Sequence, residues 1–485
     1  MTDMHELTEV ALGVARERGA QYADIRIIHR RSQDISVRNG RIGGLDDSET
    51  MGFGVRVLVD GAWGFASSDK MRKASIESTA ELAVRIARAS RRAPGPKVRL
   101  ADEPVHVARW TTPCLIDPFD VPVEEKLDLL YRIDKKLRAK KAVAEAVSNM
   151  EFTRKRQWLA TSEGTFIDQS LLESAAGYEV TAAKGGEVQV RSFPASHGGT
   201  AASMGYELVR SLDLLENAEK TRDEAIALLK ATPCPSGEMD IILDGSQLAL
   251  QIHESCGHPS ELDRALGQEA NYAGTSFLTP DKLGKLQYGS EIVNLIADTT
   301  LPTGLGTRGF DDEGVAAQRW PIVQEGIFRG YMTVRETAGA AGEKRSRGCC
   351  RAEGFHALPM TRITNLSLMP GDWDFDDLVA DTKKGLFLST NKSWSIDQRR
   401  VNFQFGTEIA WEIKNGKLGR MFRAPTYQGI TTQFWNACDA ICGERRWRLW
   451  GVNNCGKGQP GQRAGMSHGA APARFRKVTV GVAKA

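Results

Sequence analysis

The residues best suited to chemistry in this chain are His253, Glu254 and His258, in the string His253-Glu254-Ser255-Cys256-Gly257-His258. Two neutral imidazoles and a carboxylate on one helix face are what a hydrolytic zinc site requires. The imidazoles bind the ion, the ion acidifies a water, and the carboxylate takes its proton as it attacks a peptide carbonyl. Such histidines usually stand four apart, which separates them by only about 40° around a helix. Here they stand five apart, and a regular helix would splay them by about 140°. One turn closed by i→i+5 bonds restores the alignment, and such turns recur at functional sites. Gly257 tolerates distortion and Pro259 interrupts the regular bonding, so the spacing predicts a widened or broken turn over 255–259. Leu248, Leu250 and Ile252 make the helix partly buried, where two imidazoles and a carboxylate are costly unless paired or metallated. The bland alternative is that these are ordinary core or surface histidines.

A metal needs a third protein ligand. His197, His356, His468 and the eight cysteines are candidates. The run Asn453-Asn454-Cys455-Gly456-Lys457-Gly458-Gln459-Pro460-Gly461 reads as an irregular loop presenting one thiol, with Lys457 favouring the thiolate. Cys438 and Cys442 have the spacing of a helical ligand pair, so Cys438, Cys442 and Cys455 form an alternative structural zinc set; the first two read more simply as small buried hydrophobes. Cys349 and Cys350 read as loop or core residues. Glu261 reads either as an acceptor for an imidazole N–H or as a solvated carboxylate. His468 is placed to polarise a scissile carbonyl or steady an oxyanion. Asp311-Asp312-Glu313 reads as an acidic turn; a contact from Asp312 to a substrate amine is the lesser reading.

These residues need a scaffold. Helical spacing covers 5–18, 70–92, 123–146 and 213–231, with Ile76, Ala80, Leu82, Ala83, Ile86 and Ala87 on the apolar face of the second. Strand-like runs cover 23–29, 34–38, 51–59 and 62–66, the last two joined by the hairpin signal Asp60-Gly61. Further strands are expected at 147–154, 156–161, 164–170 and 175–190. The segment 232–238, carrying Pro233, Pro235 and Gly237, reads as a linker. A strand at 239–243 then leads into the helix with the motif, followed by short strands at 362–369, 385–391, 401–414 and 418–422. The expected fold is α+β: an N-terminal α+β domain with an antiparallel sheet over 1–231, and a C-terminal β-rich domain over 239–485 carrying the metal-site helix.

The 485 residues are 41% hydrophobic and carry a net charge of +3, too mild to argue for nucleic acid or an anionic membrane. The basic run 135–141 reads as a solvated helix face. No stretch reaches the roughly 18 apolar residues of a membrane span, and the N-terminus has no secretory-signal pattern. With few cysteines for its length, the chain is expected in the reducing cytoplasm.

The string HESCGH, together with FDDEGVAAQRWPIVQEGIFRGYM (310–332), SWSIDQRRVNFQFGTEIAWEIKNGKLGRM (393–421) and NNCGKGQPGQ (453–462), resembles the TldD/PmbA metalloprotease family, on its TldD side. The stretch 22–71 fits the same family. The resemblance implies one Zn2+ per chain on His253, His258 and Cys455, with Glu254 activating the zinc-bound water. It implies hydrolysis of short or unfolded peptides inside an enclosed chamber. The chamber would belong to a homodimer, or to a heterodimer with a PmbA-like subunit. Two other functions stay open at this point: a non-hydrolytic peptide-binding or regulatory subunit, and a thiol hydrolase using Cys455 with His468 as base.

Overall fold

The computed structural model describes residues 4–483, and the fold is α+β. Its N-terminal sheet runs in the order Ala62–Ser68, Arg41–Val59, Tyr22–Arg38, Val143–Thr161, Phe166–Lys184, Val107–Thr111. All neighbours are antiparallel except the last pair, and Glu187–Phe193 and Thr200–Ala202 also pair with Phe166–Lys184. Helices Met4–Glu17 and Lys73–Ser90 bury Leu7, Ala11, Ile76, Ala80, Ala83 and Ala87 against Ile25, Ile27, Val55 and Val57. Helices Val123–Leu137 and Leu214–Leu228 cover a second cluster with Ile35, Val37, Phe152 and Tyr178.

Several sequence expectations are corrected here. Leu82 and Ile86 are exposed, because they stand roughly 100° from the Ala80-Ala83-Ala87 stripe that meets the sheet. The third helix stops at Leu137 rather than 146; from Ala146 to Met150 burial alternates with period two, the signature of a strand. Expected short strands merge into three long ones and a fourth, 51–59, extends back to Arg41, because pairing continues through polar stretches such as 30–34 that carry no apolar pattern. The linker segment 232–238 is itself partly structured. Thr232–Pro233 pairs in parallel with Lys417–Arg423, and Cys234 is buried.

In the second half, the strands Gly237–Leu243, Lys384–Ile396, Asn402–Lys414, Pro425–Ile430 and Ala473–Val482 hydrogen-bond into a closed ring. Leu243, Leu248, Ile252, Phe405, Tyr427, Trp435 and Phe475 share one core cluster there. A four-stranded sheet built from Leu295–Asp298, Arg319–Gln324, Ile327–Phe328 and Leu366–Leu368 packs into the same cluster.

The two halves meet through buried ion pairs. Asp311, Asp312 and Glu313 form a turn, closed by the Gly314 amide on the Asp311 carbonyl, and all three are buried, which favours the structural reading. Asp312 pairs with Arg26 at 3.5 Å and accepts from Gln157 and the Ala352 amide; Arg56 bridges Asp24 and Glu313. Asp312 has no exposure left for a substrate amine.

Candidate metal centre

The motif helix starts where Gly237–Leu243 ends. Asp244 caps it, its carboxylate accepting from the Ser246 amide, and Gly245–Ile252 is regular α-helix. The next five residues, His253–Gly257, form a π-turn in which the His258 amide reaches the His253 carbonyl. The expected widened turn is therefore present, followed by the 3₁₀ turn His258–Ser260.

Carbonyls that lose helical partners at this irregularity are bonded elsewhere, as burial demands. Tyr288 Oη donates to the Ser255 carbonyl, Ser260 Oγ to that of Gly257, and Ser276 Oγ to that of Pro259. Trp435 Nε1 donates to Ser255 Oγ at 2.9 Å. Gly257 has an ordinary helical φ of −58°, so conformational freedom is not its role. A Cβ there would lie 3.0 Å from Ile363, and close packing is the reason for glycine.

Widening the turn brings the two imidazoles together, with ring centroids 4.8 Å apart. Cys455 completes the group from strand Arg448–Lys457, where a bulge between Val452 and Cys455 displaces the register. The expected irregular loop is thus a bulged hairpin strand. The ligand atoms of His253, His258 and Cys455 lie within 4.8 Å of one another, the one such His/Cys/carboxylate group among the described residues.

Cys455 Sγ stands 3.6 Å from His258 Nε2. Tetrahedral zinc, with bonds of about 2.05 Å to nitrogen and 2.3 Å to sulfur, separates such donors by about 3.6 Å. The donor set therefore fits zinc in chemistry, and the Cys455–His258 pair fits it in spacing.

Ring orientations follow from the neighbours. His468 Nδ1 lies 2.8 Å from the Leu366 carbonyl, which can only accept, so Nδ1 carries the proton. His468 is held well below the ordinary imidazole range, first by burial and then by the facing His253. Its Nε2 is then an acceptor for His253 Nδ1–H at 2.8 Å, which turns the lone pair of His253 Nε2 toward the site. On the other ring, Glu261 accepts from His258 Nδ1 at 2.8 Å. Burial pushes both His253 and His258 below the usual imidazole pKa, favouring the neutral form that binds metal.

Glu261 is fully buried, not a solvated carboxylate. Burial alone would protonate it. Lys457 at 3.1 Å, then His258 and Arg264, outweigh that and hold it well below the usual carboxylate range. Lys457 also contacts Asp263 at 2.9 Å and Glu269 at 3.5 Å. Its role is therefore to anchor carboxylates rather than to favour the Cys455 thiolate. Burial raises the Cys455 thiol, but His258 and Arg362 overcome this and bring it below the ordinary value. Lys457→Met is expected to lower unfolding stability by about 3–5 kcal/mol, because it strips the cation from buried carboxylates. Urea denaturation checks this; a loss under about 1 kcal/mol would contradict the anchoring role.

His468 cannot steady an oxyanion as expected, since it has no exposure and both ring nitrogens are engaged. His197 and His356 are not ligands either: His197 bonds Asn391 and His356 packs on Phe355. Cys438 and Cys442 do not form a helical pair. Cys438–Ile441 is a strand, and the two thiols belong to separate apolar clusters. Cys349 and Cys350 are buried.

Glu254 and both histidines line a cavity of about 340 Å³ between the halves, together with Cys455, Arg400 and the segment 195–201 of the N-terminal half. Arg400, which the sequence alone does not single out, pairs with the Glu254 carboxylate. It sits in the turn joining Lys384–Ile396 to Asn402–Lys414, with a positive φ of 63°. The available signal is the Asp397-Gln398-Arg399-Arg400 turn inside a stretch already tied to the family; nothing in its spacing links it to residue 254.

Sequence models of the PmbA/TldA metallopeptidase match the chain over 23–87 (domain 1), 116–231 (central domain) and 236–482 (C-terminal domain). A metalloprotease of Methanocaldococcus jannaschii is 31% identical over 87% of this chain and 89% of its own length. A zinc metalloprotease TldD homolog of Saccharolobus solfataricus is 23% identical over 96% and 98%. Among solved structures, TldE from Thermococcus kodakarensis superposes with a TM-score of 0.74 at 14% identity, covering 98% and 99% of the two chains. A putative modulator of DNA gyrase from Bacteroides thetaiotaomicron gives 0.77 at 17%, over the full length of both. These last two likenesses speak to the fold. With three successive domain models spanning most of its length and a relative above 30% identity, the chain belongs to the TldD/PmbA family and is a metallopeptidase.

Proposed function

We propose that this chain is a TldD-type, metal-binding subunit that hydrolyses short or unfolded peptides with one zinc ion on His253, His258 and Cys455. The observation that carries the reading is the convergence of those three ligand atoms within 4.8 Å in a cavity also lined by Glu254. When bound, zinc supplies Lewis acidity and makes water a competent nucleophile near neutral pH.

The remaining work falls to side chains of this chain. His468 and Glu261 fix the tautomers of the ligating rings. Glu254 takes a proton from the attacking water and delivers it to the leaving amine. Arg400 holds the Glu254 carboxylate in place until substrate arrives. Strand Arg448–Lys457 pairs on one side with Gln462–Ala470 and lines the cavity through residues 450–456. Thr200 takes the Gly451 amide and Arg362 the Cys455 carbonyl, so an extended peptide would meet the main-chain groups between them, recognition that tolerates varied side chains.

In this reading the active protein is a cytoplasmic dimer, with itself or with a PmbA-like subunit, enclosing the cavity in a chamber. No helix among the described residues is long and apolar enough to cross a membrane. Stripping metal with a chelator is expected to abolish peptide cleavage, and about one equivalent of zinc per chain to restore it. Metal-free protein that still cleaves would sink the reading. Zinc-loaded protein that binds peptides without cleaving them would favour the non-hydrolytic subunit.

A further inference from the structure

A second cavity, of about 390 Å³, adjoins the metal centre: His197, Asn453 and Asn454 line both. Its walls carry five cations, Arg30, Lys155, Arg308, Arg351 and Arg463, against three carboxylates, Glu151, Glu173 and Glu353. The imbalance is sharpest where the wall is driest. Arg308 is 7% exposed, yet its side chain makes no hydrogen bond or ion pair among the described residues, and its Nε is buried without a partner. Arg351 is 4% exposed and donates to the backbone carbonyls of Gly465 and Ile363; its Nε is also unpartnered, and no carboxylate among the described residues pairs with it. Lys155, half-buried, has one long bond, 3.4 Å, to the Ala352 carbonyl.

The internal acid that faces these cations, Asp312, is shared: it pairs with Arg26 and accepts from Gln157 and the Ala352 amide while also attracting Lys155 and Arg308. Burial consequently pushes Lys155 down to about 8 despite Asp312, and pushes Arg351 down to about 9, with Arg308 and Arg362 adding repulsion. Cations in a dry wall that share one counter-charge are costly to hold, and folds rarely retain them idle.

We propose that this cavity is a subsite for a carboxylate of the bound peptide, either its C-terminus or an acidic side chain near the cleaved bond. The proposal rests on the peptidase reading, because adjacency to the metal centre is what makes a peptide the bearer of the anion. Arginine forks match carboxylates in pairs of parallel bonds, and no side-chain bond among the described residues competes for the fork of Arg308.

The test uses the zinc-loaded full chain and matched peptides: free acid against C-terminal amide, and internal Glu against Gln. The wild type is expected to cleave one member of a pair with a KM about tenfold lower. Amide sensitivity identifies the C-terminus; Glu/Gln sensitivity identifies a side chain. Arg308→Gln is expected to collapse that difference to about one. Lys155→Met, which removes a second cation of the wall, is expected to shrink it too and serves if Arg308→Gln fails to fold. Equal KM values within every pair for the wild type, or a difference undiminished in both variants, would overturn the subsite. If no peptide is cleaved the peptidase reading fails, and calorimetry of the same peptides on Glu254→Gln protein decides the subsite separately. Tighter binding of the carboxylated member supports it, and equal binding overturns it.

Discussion

Glu254→Gln is expected to cut peptide turnover by about 10²–10⁴-fold while zinc stays bound at full stoichiometry. The amide is nearly isosteric and keeps an oxygen for Arg400, but it cannot accept the proton that water must lose. Glu254 is not one of the three converging ligand residues, so metal content should not follow activity. The loss belongs in kcat, because the interaction removed is made at the transition state. Breaking the pair with Arg400 leaves that buried guanidinium short of a counter-charge, so some stability is lost as well. Arg400→Met separates the two effects: it removes the pair and spares the base. Turnover within twofold of wild type in metal-loaded Glu254→Gln would take this carboxylate out of the reaction.

Cys455→Ala is expected to loosen zinc by more than about 100-fold and to abolish turnover at stoichiometric metal. Removing an outer partner alone typically costs about 10–100-fold in affinity, and a direct ligand costs more. The thiol is small and sits on a bulged strand, so truncation should leave the melting temperature of the metal-free chain nearly unchanged. Loss of activity alone would also suit a thiol nucleophile. Cys455→His distinguishes them, since imidazole is a competent third zinc ligand but no replacement for a nucleophilic sulfur. Recovered zinc binding with measurable turnover supports the ligand role; full zinc with no turnover supports the nucleophile. Insensitivity of Cys455→Ala in both metal content and rate would remove the residue from the site.

Much of the site is legible in the amino-acid sequence because helix geometry is local. Five-residue spacing leaves a choice between no site and a widened or broken turn, and a widened π-turn is there. The ends of the major helices are legible to within a few residues for the same reason, except where strand Val143–Thr161 begins. There the polar run that follows the helix gives no periodic signal. Strands run longer than composition suggests because pairing partners carry them through polar stretches.

By itself, then, the sequence determined the motif, the need for an irregular turn, the α+β class and, through its resemblance, which distant thiol to suspect. Beyond that one pairing it was silent on which remote segments become adjacent. Only the tertiary structure set His468 behind His253 and turned Lys457 onto Glu261. Only it brought Arg400 to Glu254 and gathered Arg308, Arg351 and Lys155 around one cavity. The physical reason is that hydrogen bonds and ion pairs act over a few ångströms of space, whatever the separation along the chain. A residue's role at such a site depends on what burial leaves it to bond with, and residue type and spacing do not record that.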